Sequence, residues 1–421
     1  MEINMRFFKN ILNISIALLT ITTFVISCEK PQPSNKGNIK GGIILPGEGG
    51  HRLILYYGAG KNTLESYLKE DIQDMTENYI PMNREIDNVV LMYTRLGENR
   101  ADQHPSPSYL IRVYRDYNGS VIKDTLHTYS DKVNAADPNT LNMVLEEVKE
   151  RFPDRKYGLV FSSHGSGWLP NEYLQKPEGG TIFSTGIRKS IGQDAISYNS
   201  YEIDIRDFAK AIPMHLDYII FDACFMGGIE VAYELRYTCE NVIFSQTEIL
   251  GDGFNYKKII NTLLMTPKNY LEKVCDEYYK QYEDRTGWEK SATVSMVQTR
   301  NIETLARTCK KLIDKHKEGI KALNRFEVQR YFRYADQDYF FDLADILIKS
   351  GATNDEISEL AAALDGCIKY KAATKQFMPG YSGFDINIYS GLSMYIPDTH
   401  KPKLNQYYKT LEWNISTNLV D

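Results

Sequence analysis

Two apolar segments of the chain end beside side chains that could carry out nucleophilic chemistry. Residues 156–163 (KYGLVFSS) are followed directly by His164, and residues 216–221 (LDYIIF) are followed closely by Cys224. A thiol is a weak nucleophile at neutral pH because little of it is ionised, but an adjacent imidazole can take its proton and later pass it to a leaving amine. The two residues therefore predict a cysteine nucleophile and its base.

The main chain beside these two side chains could also stabilise negative charge. Glycine lets a carbonyl group approach the backbone closely, so the N–H groups of Gly165 and Cys224 are candidate oxyanion donors. Taken singly, His164 could be a buried histidine at a strand end and Cys224 an inert core thiol. Their shared position at strand ends favours the catalytic interpretation.

A carboxylate lies two residues before the candidate nucleophile. In an extended chain this spacing points the side chains of Asp222 and Cys224 to the same side. Asp222 could then form the floor of a pocket for an Arg or Lys side chain. It could equally cap a nearby backbone group or pair with a structural arginine, and spacing alone leaves both open.

The segments that would position these residues alternate between strand and helix patterns. Runs rich in β-branched and aromatic residues predict strands over residues 52–57, 88–93, 156–163, 216–221 and 241–245, with a hairpin over residues 109–129. Helical spacing predicts helices over residues 64–75, 138–148, 203–212 and 229–237, and the Gly-rich residues 168–200 predict a loop. Such a βαβ series predicts a mostly parallel sheet covered by helices on both faces, with chemistry at the carboxyl ends of its strands.

Helices dominate beyond residue 255. They are predicted over residues 256–265, 267–282, 302–316, 340–349 and 355–372, and two strand-like segments, residues 293–298 and 392–396, would extend the sheet. The predicted organisation is a signal peptide over residues 1–27, a tether over 28–50, an α/β core over 51–255 and a mainly helical C-terminal subdomain over 256–421 that contributes late strands.

The amino terminus has the pattern of an export signal. Basic residues precede the apolar residues 11–27, a stretch too short and too thinly flanked to indicate a membrane span. It ends at Cys28 and resembles a bacterial lipoprotein signal, in which the cysteine is acylated after cleavage. The alternative is an ordinary secretory signal or anchor with an incidental cysteine. Residues 31–50 have the Pro- and Gly-rich composition of a flexible tether. We expect a location in the bacterial cell envelope, lipid-anchored at Cys28 and periplasmic or surface-facing.

The net charge bears on nucleic-acid binding, and the number of cysteines bears on disulfide formation. The 421-residue chain has a formal charge of −6, which argues against nucleic-acid binding. Outside the cytosol, four cysteines could form up to two disulfides, but their apolar helical surroundings favour buried free thiols. These four are Cys239, Cys275, Cys309 and Cys367.

Several motifs resemble those of the clostripain family of cysteine peptidases. The two strongest are HGSGW at residues 164–168 and FDACFMG at residues 221–227, each after an apolar strand. Residues 245–248, 251–256 and 391–397 resemble weaker family segments. The resemblance covers residues 52–397, nearly all of the expected mature chain.

The resemblance implies a fold and a set of roles. The fold would be a caspase-like α/β/α sandwich with a mostly parallel central sheet plus a helical C-terminal subdomain. His164 would be the catalytic base, Cys224 the nucleophile and Asp222 the acidic pocket residue that favours cleavage after Arg or Lys. Members are often self-cleaved between the His and Cys strands, where Arg188 and Lys189 are the candidates; Lys176 is a poorer one because a proline follows it.

The chain lacks the motifs of other enzyme classes. It has no G-x-S-x-G elbow, no H-E-x-x-H zinc motif and no phosphate-binding glycine spacing. No metal site or required cofactor is indicated. Some family members respond to calcium, but no regular oxygen-ligand spacing supports a calcium site here.

We expect a monomeric endopeptidase acting on protein or peptide substrates that contain Arg or Lys. The alternative is a catalytically silent, lipid-anchored binding or adhesion protein on the same scaffold.

Overall fold

The computed structural model of the chain describes residues 52–77, 80–84, 87–97, 107–174, 177–178, 191–196, 199–333 and 338–421. The predicted signal peptide and tether, the lipidation residue Cys28 and the candidate cleavage residues Lys176, Arg188 and Lys189 lie outside these ranges. Among the described residues, no helix is long and apolar enough to cross a membrane.

The described residues form fifteen strands and eleven α-helices. The strands are β1 (Arg52–Gly60), β2 (Val89–Leu96), β3 (Tyr109–Arg115), β4 (Val121–Thr128), β5 (Lys156–Ser162), β6 (Ile191–Ile196), β7 (Asn199–Ile203), β8 (Tyr218–Asp222), β9 (Asn241–Phe244), β10 (Thr293–Gln298), β11 (Phe341–Asp342), β12 (Ile368–Ala373), β13 (Gln376–Phe377), β14 (Phe384–Asp385) and β15 (Ser393–Met394). The α-helices are α1 (Glu65–Thr76), α2 (Pro138–Arg151), α3 (Ile205–Ala211), α4 (Ile229–Glu234), α5 (Tyr256–Met265), α6 (Tyr270–Glu283), α7 (Ile302–Lys321), α8 (Leu343–Lys349), α9 (Asn354–Cys367), α10 (Pro402–Tyr408) and α11 (Glu412–Thr417).

One large sheet organises the described part of the chain. The nine described strands of this sheet pair in the order β12-β10-β9-β8-β5-β1-β2-β3-β4. The five central strands, β9 to β2 in that order, are parallel, and antiparallel strands extend the sheet on both sides. The carboxyl ends of the five parallel strands therefore meet at one edge, which is where ligand sites form in open α/β sheets.

Helices cover both faces of this sheet. Alternate residues of a strand point to opposite faces, and neighbouring residues of β8 belong to different hydrophobic clusters. Ile220 belongs to the cluster that includes residues of α1, α5 and α6, and Ile219 to the cluster that includes residues of α2, α3, α4 and α7. Because both faces are buried, the central strands read as continuous apolar runs, as parallel strands do. The architecture is the predicted α/β/α sandwich with a mostly parallel central sheet.

Three predicted elements differ from the structure. The predicted loop over residues 168–200 contains β6, which pairs with β7 as a hairpin; its glycines masked a strand pattern. The helix predicted over residues 355–372 ends at Cys367, one residue after Gly366, and β12 follows directly at Ile368 without a loop. Residues 393–394 pair with β11 and not with the main sheet.

The residues after 255 are integrated with the sheet. Helices α5 and α6 pack on one face of the sheet, and β10 and β12 pair at its edge. The described residues from Arg52 onward belong to one compact unit.

Candidate active site

His164 and Cys224 follow two neighbouring strands at matching positions. In the parallel pair of β5 and β8, Ser162 lies opposite Asp222, and the N–H of Ser163 donates to the Asp222 carbonyl at 3.3 Å. Each reactive residue comes two positions after this last pair. The strand register thus explains how residues sixty apart in sequence reach the same edge of the sheet.

The segment after His164 lies directly against the main chain of Cys224. A Cβ built on Gly165 would come within 2.5 Å of the Cys224 carbonyl oxygen and 3.1 Å of its nitrogen. No side chain can be accommodated there without movement. Glycine at position 165 is therefore required by a close approach of two backbones, which is a reason beyond the predicted oxyanion role.

A threonine that the sequence analysis did not identify contacts the histidine ring. Thr63 Oγ1 and His164 Nε2 lie 2.9 Å apart and share a hydrogen bond. Thr63 belongs to the turn between β1 and α1, so this contact joins the ends of β1 and β5. The bond fixes the plane of an imidazole that is only 4% exposed.

The hairpin of β6 and β7 supports the histidine segment from the other side. The N–H of Gly192 donates to the His164 carbonyl at 3.0 Å, and the N–H of Gln193 donates to Ser163 Oγ at 3.1 Å. Asp194, the next residue of β6, forms a fully buried ion pair with Arg95. This support comes from a segment that was predicted to be a loop.

The thiol of Cys224 is covered by the segment that follows β9. Its sulfur accepts a hydrogen bond from the N–H of Ile249 at 3.4 Å, and the residue is 5% exposed. The other four cysteines of the described residues are also buried and free, which agrees with the prediction of free thiols. Burial raises the pKa of Cys367 to about 12 and that of Cys239 further, so these thiols are inert at neutral pH.

The carboxylate of Asp222 is enclosed by the loop that leads into α5. Tyr256 donates its hydroxyl to the carboxylate at 2.9 Å, and the N–H of Phe254 donates at 3.4 Å. Burial raises the pKa of Asp222 to about 6, although both donors act to lower it. The group therefore caps a backbone amide, one of the roles left open, and is also a buried charge beside the nucleophile.

No metal cluster is formed by the described residues, where no three His, Cys, Asp or Glu side chains are placed to hold an ion. Glu248 pairs with Arg333, and Asp252 pairs with Arg285 at 2.8 Å.

The arrangement of a thiol, an imidazole and close backbone amides is suited to attack on a carbonyl carbon.

Comparison with known proteins relates these segments to one family. The family model described as the clostripain family (peptidase C11) matches residues 56–418. Clostripain from Hathewaya histolytica is 24% identical over 225 residues, which are 50% of this chain and 41% of that protein. The chain thus spans about two fifths of the length of this curated relative.

Solved structures of two proteases share the fold. An inactive zymogen of a C11 protease from Parabacteroides distasonis is 26% identical, with a TM-score of 0.72 over 89% of this chain and 99% of that one. A secreted C11 cysteine protease from Bacteroides thetaiotaomicron, solved with an irreversible peptide inhibitor, is 23% identical with a TM-score of 0.72 over 88% and 99%. Both the His164 and the Cys224 segments lie within the residues that the family model matches.

Proposed function

The chain belongs to the clostripain family of cysteine peptidases, and from this premise we propose that it is an endopeptidase that hydrolyses peptide bonds after Arg or Lys. The observation that carries the proposal is the strand register that brings His164 and Cys224 to the same edge of the sheet. Membership gives the class of reaction, and the position of these two side chains supports the assignment of His164 and Cys224 as the residues that perform it.

The proposed mechanism proceeds through an acyl-enzyme. His164 takes the proton of Cys224, and the sulfur attacks the carbonyl carbon of the scissile bond. Since Thr63 occupies Nε2 of the ring, proton exchange with the thiol and the leaving amine falls to Nδ1. The N–H groups of Gly165 and Cys224 stabilise the oxyanion, the amine leaves with the proton, and water then hydrolyses the thioester.

Specificity is assigned to Asp222. Asp222 as a residue is 7% exposed. It comes two residues before the nucleophile, a position from which its carboxylate can pair with the side chain of the residue preceding the scissile bond. A buried carboxylate favours a cationic partner because its charge is poorly solvated there. This is the physical reason for proposing Arg or Lys at that substrate position.

Peptides that differ only at that position test the proposal. The wild type should hydrolyse Arg and Lys peptides, Cys224→Ala should hydrolyse neither, and Asp222→Asn should lose the preference for basic residues while its Cys224 still reacts with iodoacetamide. Equal hydrolysis of basic and neutral peptides by the wild type would remove the specificity assignment. Labelling of no cysteine in a folded wild type would favour the binding or adhesion alternative.

Two further proposals concern residues outside the described ranges. We propose lipid anchoring through Cys28, which predicts that Cys28→Ser releases the protein from the membrane fraction. We also propose self-cleavage after Arg188 or Lys189, which predicts a two-fragment product that is lost in Cys224→Ala and in an Arg188→Gln/Lys189→Gln variant. A wild type that stays intact and is fully active would show that processing is not required.

A further inference from the structure

A second carboxylate, from helix α1, lies close to Asp222. Asp71 accepts a hydrogen bond from the hydroxyl of Tyr56 at 3.2 Å. Tyr56 is a β1 residue whose ring packs edge-on against Tyr256 with centroids 5.5 Å apart, and Tyr256 is the residue that donates to Asp222. Two buried tyrosines thus link the two carboxylates.

The carboxyl group of Asp71 lies in an acidic part of the described structure. The charged groups that act most strongly on it are the carboxylates of Asp222, Asp74 and Glu70. Burial, followed by the charge of Asp222, raises the pKa of Asp71 to about 9. Arg285, a cation near this region, is paired with Asp252 at 2.8 Å.

A buried hydroxyl without a partner faces the same place. Tyr278 of α6 is 1% exposed, and its hydroxyl has no hydrogen-bond partner among the described residues. The carboxylate of Asp222 and the thiol of Cys224 are the groups whose charge acts most strongly on this phenol. The ring of Tyr278 packs against Phe254 with centroids 4.4 Å apart, and the N–H of Phe254 donates to Asp222. A buried hydroxyl without a partner is costly, so its place near Asp222 points to a ligand that supplies the missing bond.

We propose that Asp71 is a second specificity-determining residue. Together with Asp222 and the hydroxyl of Tyr278, it forms a binding site for the cationic side chain of the substrate. This inference rests on the proposed endopeptidase function. A guanidinium carries several N–H donors in a planar fork and can bond two carboxylates at once. Burial and the charge of Asp222 favour the protonated form of Asp71, and a substrate cation beside both groups would favour their ionised forms.

The test compares peptides with Arg or with its neutral isostere citrulline before the scissile bond. Asp71→Asn should lower kcat/KM for the Arg peptide by about 10-fold or more, mainly through KM, because a charge-assisted bond is lost. Hydrolysis of the citrulline peptide and alkylation of Cys224 by iodoacetamide should stay within about twofold of wild type, since the dyad is intact. Glu70→Gln, one residue away on the exposed side of α1, is the matched control and should behave as wild type.

A second variant keeps the test independent of folding. Tyr278→Phe removes a hydroxyl that makes no hydrogen bond among the described residues, so the variant should fold at least as stably as wild type yet lose part of the Arg preference. If the wild type prefers Arg and neither variant changes the Arg-to-citrulline ratio, this inference is overturned and the proposed function stands. If the wild type does not prefer Arg over citrulline, the proposed specificity itself fails.

Discussion

The hydroxyl of Thr63 lies 2.9 Å from Nε2 of His164, at the point where β1 and β5 end beside each other. A ring held at one nitrogen presents the other in a fixed direction, which is what a base needs in order to exchange protons with one particular thiol. We therefore treat Thr63 as a positioning residue and not as a reacting group.

Thr63→Val should reduce kcat by about 10-fold while changing KM little, because the ring loses its anchor but the substrate pocket is untouched. Thr63→Ser keeps a hydroxyl and should restore most of the activity. Steady-state kinetics on one Arg peptide, with the rate of Cys224 alkylation as a second readout, measure the effect. A threonine that only stabilises the turn would lower the melting temperature of the valine variant without changing kcat.

Gly165→Ala should lower kcat by about 100-fold, comparable to the loss of an oxyanion donor. The added Cβ would meet the Cys224 carbonyl oxygen at 2.5 Å, so the backbone at the nucleophile must move. Gly366→Ala is the control, since nothing lies within 4 Å of its Cβ position. An alanine at position 165 with wild-type activity would show that the backbone positions there do not matter for catalysis.

Tyr256→Phe should move the acidic limb of the pH–activity profile for Arg peptides to higher pH. The carboxylate of Asp222, with a pKa of about 6, must be ionised to hold the cation, and its bond from Tyr256 keeps that pKa from rising further. A citrulline peptide, whose hydrolysis does not need the charge of Asp222, reports the dyad alone and should keep its profile. Tyr282→Phe, which loses a hydroxyl bonded to the Gly253 carbonyl, is the matched control. If wild type, Tyr256→Phe and Tyr282→Phe show the same acidic limb on Arg peptides, the role of Asp222 is contradicted.

The free energy of unfolding should fall as pH rises from about 5 to 9. Burial raises the pKa of Asp222 to about 6 and that of Asp71 to about 9, so the folded protein holds protons that the unfolded chain has released. Stability from such groups is complete below their unfolded pKa and is lost as pH passes the folded one, with a slope of at most about 1.4 kcal/mol per pH unit for each group.

Guanidinium titrations of the inactive Cys224→Ala protein at several pH values measure this slope without self-digestion. Adding Asp71→Asn should make the curve flatter above pH about 6, since the group that titrates last is gone. A stability that rises over the same range would mean that these carboxylates are ionised in the folded protein.

The strand-end positions of His164 and Cys224 could be predicted because apolar runs mark parallel strands, and parallel strands end at one edge. The contacts of Thr63, Ile249 and Tyr278 could not, because they depend on how a turn, a loop and a helix pack against that edge. No local periodicity encodes such packing. The strand β12 was missed for a different reason: no loop separates the helix ending at Cys367 from the strand beginning at Ile368, and the stop signal of Gly366 was not used.

The supporting β6–β7 hairpin shows the same limit. Its Gly192 makes the bond to the His164 carbonyl at a positive φ of 72°, a conformation that suits glycine and disrupts the alternating pattern expected of a strand. Local sequence rules therefore fail where the backbone adapts to the site.

A peptidyl chloromethyl ketone with Arg next to the reactive group tests the central claim most directly. Digestion and mass spectrometry of the treated protein should find one adduct per chain, on Cys224, formed far more slowly in His164→Ala. The buried thiols of Cys239, Cys275, Cys309 and Cys367 should remain unmodified. An active protein whose adduct lies on any other residue, or whose Cys224 reacts equally fast without the imidazole, would contradict the assignment of these two residues as nucleophile and base.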